Sequence, residues 1–259
     1  MEIPNHPVRR LLGVEYRLCR AEPIDIAANP FPTQLIDGLA AFLYVTRQLG
    51  FKPSDVILSG DSAGGGIALA LTRYLRDSPP FPTPPIGGLL LLSPSCDLQL
   101  SHNPARSPHG QNASVIRNAY ADIILHTPYP DVGLITYAGK AYRGKAISRK
   151  EVFVNPYMSP GSLDIPHSRG DMLVFGGYPK TYISVAGREI LYDQILYLAD
   201  RLKKDHVVSQ DGVGNDGSDW VTVSIEPEMF HDFCAVGGLG NETWKRELAR
   251  MAKWIATLH

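Results

Sequence analysis

The stretch Val56-Ile57-Leu58-Ser59-Gly60-Asp61-Ser62-Ala63-Gly64-Gly65-Gly66-Ile67-Ala68-Leu69 runs from a short apolar segment through a glycine-flanked serine into an alanine- and leucine-rich segment. The apolar segment has strand length, and residues 63–76 have helical spacing and composition, so Ser62 falls on the turn between a strand and a helix. Gly60 and Gly64, two residues to either side of Ser62, let the backbone turn sharply without a Cβ clash. Such a turn lifts the hydroxyl clear of the sheet, which is the nucleophile-elbow pattern in the context it requires. The N–H of Ala63 then faces the place where a carbonyl oxygen becomes negative. A glycine-rich turn without catalytic meaning is the bland alternative, and the strand and helix on either side count against it.

Outward from this turn, apolar runs of strand length (residues 12–16, 55–59, 88–93, 181–186 and 220–225) alternate with amphipathic runs of helix length (33–49, 63–76, 190–204 and 242–258). That alternation predicts an α/β fold, a mostly parallel sheet flanked by helices. Two parts break it. Residues 97–171, rich in Pro, Ser, Asn and Gly, read as an irregular cap-like insertion within a single domain spanning residues 1–259. Residues 210–219 form a polar, glycine-rich loop that resembles a calcium loop only loosely, because Val213 stands where an oxygen ligand belongs, so no metal is expected.

A serine hydroxyl is a weak nucleophile until a base takes its proton and an acid orients that base. His231, in Met229-Phe230-His231-Asp232-Phe233, follows the last strand run and suits the base in the chain order serine, acid, histidine. A histidine among aromatics is more often a packed residue, and position and order argue otherwise here. The acid candidates follow residues 181–186: Glu189, at the carboxyl end of the strand, is preferred, and Asp193 falls a helical turn further on. Either carboxylate could instead be a first-turn residue stabilised by the helix dipole.

Taken with Val14-Glu15-Tyr16-Arg17-Leu18, Asn29-Pro30-Phe31-Pro32-Thr33-Gln34-Leu35-Ile36-Asp37, Leu92-Ser93-Pro94 and Arg188-Glu189-Ile190-Leu191, these motifs resemble the hormone-sensitive-lipase-like family of α/β-hydrolase serine esterases over nearly the whole chain. The resemblance implies hydrolysis of carboxylic esters with small or medium acyl groups through an acyl-enzyme, without a cofactor. It assigns Ser62 as nucleophile, His231 as base and Ala63 as one oxyanion donor, and puts Glu189 where the family more often has Asp. The family's His-Gly-Gly-Gly motif, which completes its oxyanion hole, precedes the segment matching Val14 to Leu18, and only thirteen residues stand before Val14 here. Gly64-Gly65-Gly66 lies beyond the serine and cannot replace it. The expectation is therefore a chain lacking its amino-terminal strands, with an unpaired sheet edge next to the strand before Ser62. Loss of one oxyanion donor costs on the order of 100- to 1000-fold in turnover, so a non-catalytic binding protein that keeps the pocket is a rival reading. An acyltransferase or amidase with the same triad is a third.

Composition excludes other classes. Of 259 residues 44% are hydrophobic and 20% charged, as in an ordinary globular chain, and no run is long and apolar enough to suggest a membrane span. A net charge of −1 gives no long-range attraction for nucleic acid, and the basic run 140–150 reads as a solvated surface. The partner expected is a small-molecule ester. Cys19, Cys96 and Cys234 lack metal-ligand spacing and suit reduced thiols, and the first residues lack a secretory-signal pattern, which together point to a cytoplasmic location.

Overall fold

The computed structural model describes residues 8–22, 26–78, 86–102, 106, 134–169, 172–209, 217, 219–236 and 242–258. Helix α1 (Thr33–Leu43) continues as a π-helical turn (Tyr44–Gln48), then a 3-10 turn (Pro53–Asp55) leads into β1 (Ile57–Asp61) and α2 (Ser62–Asp77). After β2 (Gly88–Leu92) come α3 (Leu134–Arg143), α4 (Arg149–Val154) and a short antiparallel pair, β3 (Ser168–Arg169) with β4 (Met172–Leu173). The chain closes with β5 (Thr181–Ala186), α5 (Tyr192–Ser209), β6 (Val221–Glu226), α6 (Phe233–Val236) and α7 (Glu242–Ile255).

The main sheet has strand order β1-β2-β5-β6 and every neighbour pair is parallel. The α/β class read from the sequence is thus the class observed. A parallel sheet must be covered on both faces, and β2 records this in alternate residues. Leu89 and Leu91 enter one core with Leu69 of α2, Ile183 of β5 and Ile195, Leu198 and Leu202 of α5, while Leu90 turns to the opposite core with Tyr182, Met251 and Trp254. A third cluster, with Leu35 and Phe42 of α1 and Leu71 and Leu75 of α2, adds α1 outside α2.

Two expectations need correction. Residues 12–16 form no strand, and the β pairing that follows them is an isolated bridge between Arg20 and Ala28. A strand exists through its partners, and among the described residues β1 pairs with β2 alone, so nothing joins residues 12–16 to the sheet. The segment is instead tied to α1: Asp37 accepts a forked pair of hydrogen bonds from the Arg17 guanidinium, and the Gln34 amide donates to the Arg17 carbonyl. The strand expected over 55–59 lies two residues later, because Pro53 begins a 3-10 turn that takes in Asp55. Among its described residues the segment 97–171 includes α3 and α4, the latter begun by a capping box in which Ser148 Oγ accepts from Glu151 N–H and the Glu151 carboxylate accepts from Ser148 N–H. Much of that segment, and of the loop 210–219, lies outside the described residues.

Candidate active site

Parallel strands end on one side, and the register aligns Asp61 of β1 with Leu92 of β2, Leu92 with Ser184 of β5, and Ser184 with Ser224 of β6. The residues that follow each strand therefore meet at one edge of the sheet, where α/β proteins place their sites. Ser62 follows β1, Ser93 follows β2, Glu189 follows β5 and His231 follows β6.

Ser62 adopts a positive φ of 47°, a conformation L-residues other than Asn and Asp rarely take. The turn is tight enough that a Cβ on Gly60 would overlap the Gly64 carbonyl and stand 2.6 Å from the Gly65 nitrogen. Gly65 and Gly66 let α2 approach the segment after β2, where added Cβ atoms would meet Pro94 and the Ser95 carbonyl. The elbow is pinned from that side as well, since the Ser95 N–H donates to the Ser62 carbonyl (2.8 Å).

The imidazole of His231 lies between Ser62 and Glu189. Its Nε2 is 2.8 Å from Ser62 Oγ and its Nδ1 is 2.7 Å from Glu189 Oε2. With the Nδ1 proton donated to the carboxylate, Nε2 is free to accept the serine proton. Glu189 is fully buried, and its other oxygen, Oε1, accepts from the Ala186 N–H (3.0 Å). Burial raises the Glu189 pKa above the usual carboxylate range, against hydrogen bonds from His231, the Ala186 N–H and Ser93 that favour the charged form. Burial of His231 works to lower its pKa, but the Asp232 and Glu189 carboxylates outweigh it and leave the ring raised to about 10.

Among the described residues the ion-pair partners of His231 are Glu189 and Asp232, and Asp193 is not one of them. Asp193 lies buried in the first turn of α5. Ala63 occupies the first turn of α2, where backbone N–H groups have no partner inside the helix.

Two residues at the site carried no role in the sequence reading. Ser93, also at positive φ (43°) and buried, accepts a hydrogen bond at its Oγ from the Asp232 N–H (3.3 Å), so one hydroxyl ties the histidine turn to the end of β2 and to Glu189. Asp232 places Oδ2 3.1 Å from His231 Nε2, on the serine side of the ring. The signal for Ser93 is a polar residue at the carboxyl end of a central strand, and for Asp232 its adjacency to the base. Cys19, Cys96 and Cys234 are free thiols. Among the described residues no cluster of His, Cys, Asp and Glu could hold a metal ion, and no helix is long and apolar enough to cross a membrane.

Comparison with known proteins adds an independent line. A family model described as alpha/beta hydrolase fold matches residues 11–234. A protein named esterase from Acinetobacter venetianus is 37% identical over 165 residues, which cover 64% of this chain and 44% of that protein. A crystal structure of an esterase/lipase from an uncultured bacterium superposes with a TM-score of 0.65 at 26% identity, covering 94% of this chain and 64% of that one. A bacterial esterase of the hormone-sensitive lipase family shares the fold with a TM-score of 0.64 at 24% identity, over 94% of this chain and 64% of its own. The fold expected from the motifs is thus met in solved structures, and the chain spans about half to two thirds of the length of these proteins.

Proposed function

The chain belongs to the α/β-hydrolase fold family, and from that premise we propose that it hydrolyses carboxylic esters of small or medium acyl groups through an acyl-enzyme on Ser62. The observation that carries the reading is a single imidazole within hydrogen-bond distance of both a serine hydroxyl on a strained elbow and a buried carboxylate, at 2.8 and 2.7 Å. Relatives named esterase and lipase support the substrate class.

In this reading Ser62 Oγ attacks the ester carbonyl as His231 Nε2 takes its proton, and Glu189 holds Nδ1–H so that the correct nitrogen is free. The Ala63 N–H faces the developing oxyanion at the start of α2, where the helix dipole also favours negative charge. The imidazolium then gives its proton to the departing alkoxide, and the acyl group remains on Ser62. A water molecule, activated by the same histidine, releases the acid and restores the serine. Ala63 is one donor to that oxygen, and loss of a single oxyanion donor costs on the order of 100- to 1000-fold in turnover.

A second reading is a binding protein that retains the pocket, since the fold alone does not dictate activity. Labelling with a fluorophosphonate probe separates the two. A mass adduct on the peptide containing Ser62, absent in Ser62→Ala, supports the hydrolase. A folded chain that resists labelling supports the binding protein.

A further inference from the structure

An aspartate just before a helix ordinarily caps it, its side chain accepting an N–H of the first turn. Asp232 stands in that position before α6, yet the first-turn N–H of Ala235 goes to the Asp232 backbone carbonyl (2.8 Å). Among the described residues its buried Oδ1 accepts no hydrogen bond. The other oxygen lies 3.1 Å from His231 Nε2, the nitrogen that also faces Ser62 Oγ. The backbone enforces this placement: Asp232 sits at φ 56° and its N–H is held by Ser93 Oγ. The side chain is thus aimed at the base instead of at the helix.

The consequence depends on the protonation of Nε2. When Nε2 carries a proton, that proton lies between the serine oxygen and a carboxylate, an attractive arrangement in a water-poor site. When Nε2 is bare, as proton abstraction requires, its lone pair faces a negative oxygen. The carboxylate therefore favours the form of His231 that cannot act as base.

Resting on the esterase reading above, we propose that Asp232 is a positioning residue that holds the proton on His231 Nε2 and confines reactivity of Ser62 to alkaline pH. Loss of that proton to solvent frees the lone pair to take the Ser62 proton, and no other group changes charge in the step. Among the described residues the titratable and polar groups on the elements around the histidine turn are these. Glu189, from the loop after β5, bears on Nδ1. Ser62 and Ser93 bring hydroxyls. The Asp61 carboxylate lies beside Gly64 on the elbow. The Cys234 thiol is pushed up to about 12, first by burial and then by Glu247, and stays neutral where His231 titrates. The raised His231 agrees in sign: burial opposes the shift, and the Asp232 contact is foremost among the interactions that outweigh it.

The test is the pH dependence of kcat/KM for p-nitrophenyl acetate from about pH 5 to pH 10, which reports the free enzyme's base. It compares the wild-type chain with Asp232→Asn and Asp232→Gly, with Ser62→Ala as the blank at each pH. Asn and Gly both tolerate positive φ, so the turn is kept while the charge is removed. The expected result is an acid limb whose midpoint moves down by about 1–3 pH units in both variants, the size of shift produced by an opposite charge at this range. Below the wild-type midpoint that is a rise in kcat/KM of tenfold or more. A wild type active at alkaline pH with the same midpoint in both variants overturns this inference and leaves the esterase reading standing. A folded wild type inactive at every pH overturns the esterase reading and this inference with it.

Discussion

Replacing Glu189 by glutamine removes one charge and forces a choice that the site cannot make without loss. One carboxylate oxygen accepts from the Ala186 N–H at 3.0 Å and the other from His231 Nδ1–H at 2.7 Å, with the Ser93 hydroxyl also bearing on the group. A glutamine offers one acceptor and one donor group. If its oxygen stays on Ala186, its NH2 points at Nδ1, which must then accept, and the ring's proton moves to Nε2. That tautomer cannot take the Ser62 proton, and the Asp232 carboxylate beside Nε2 stabilises it further. If the amide flips, its NH2 confronts the Ala186 N–H in a fully buried position, at a cost of about 1–3 kcal/mol for the donor left unsatisfied. The first arrangement is the cheaper, so the fold is retained and kcat falls by about 10,000-fold, the loss typical of a triad acid converted to its amide. Steady-state hydrolysis of p-nitrophenyl butyrate measures the loss, with a thermal melt to confirm folding. Asp193→Asn is the companion variant, with kcat expected within about threefold of wild type because, among the described residues, the ion-pair partners of His231 are Glu189 and Asp232. A Glu189→Gln enzyme within tenfold of wild type, or a collapse in Asp193→Asn at unchanged stability, would refute this reasoning.

Two further substitutions test the scaffold. Gly60→Ala drives a methyl into the Gly64 carbonyl, which as backbone cannot step aside, so the expected result is about 3 kcal/mol of lost stability and at least about 100-fold lower turnover from a displaced Ser62, read by melting and by ester hydrolysis. Glu247→Ala, in α7 and away from the triad, removes the buried acceptor of the Tyr182 hydroxyl (2.9 Å) and of the Ser224 hydroxyl (2.7 Å). Leaving these donors unpaired costs about 3 kcal/mol, seen as a melting temperature lower by roughly 6–12 °C, with ester hydrolysis at 25 °C largely kept.

Where local pattern and tertiary environment agree, the sequence was readable. The run Thr181 to Ala186 is largely apolar because it lies mid-sheet with cores on both faces, and β5 has the bounds the run suggests. The elbow was readable for the same reason: Gly60 and Gly64 are demanded by backbone contacts only a few residues apart. Residues 12–16 failed because their strand-like composition says nothing about whether a partner strand lies alongside. The order serine, acid, histidine was accessible from spacing, and the structure brings Ser62, Glu189 and His231 together while leaving Asp193 in α5. The parts played by Ser93 and Asp232 were not accessible, because they depend on positive backbone φ values and on a hydroxyl meeting an amide 139 residues away. Their places at a strand end and beside the base are visible in the sequence, but those contacts are not.

The most direct test of the central claim is hydrolysis of p-nitrophenyl butyrate by the purified 259-residue chain beside its Ser62→Ala variant, at mildly alkaline pH and with matched melting curves. Ester cleavage above the spontaneous rate is expected in the wild type and none above it in the variant. Equal rates in the two proteins, or no cleavage by a folded wild type, would contradict it.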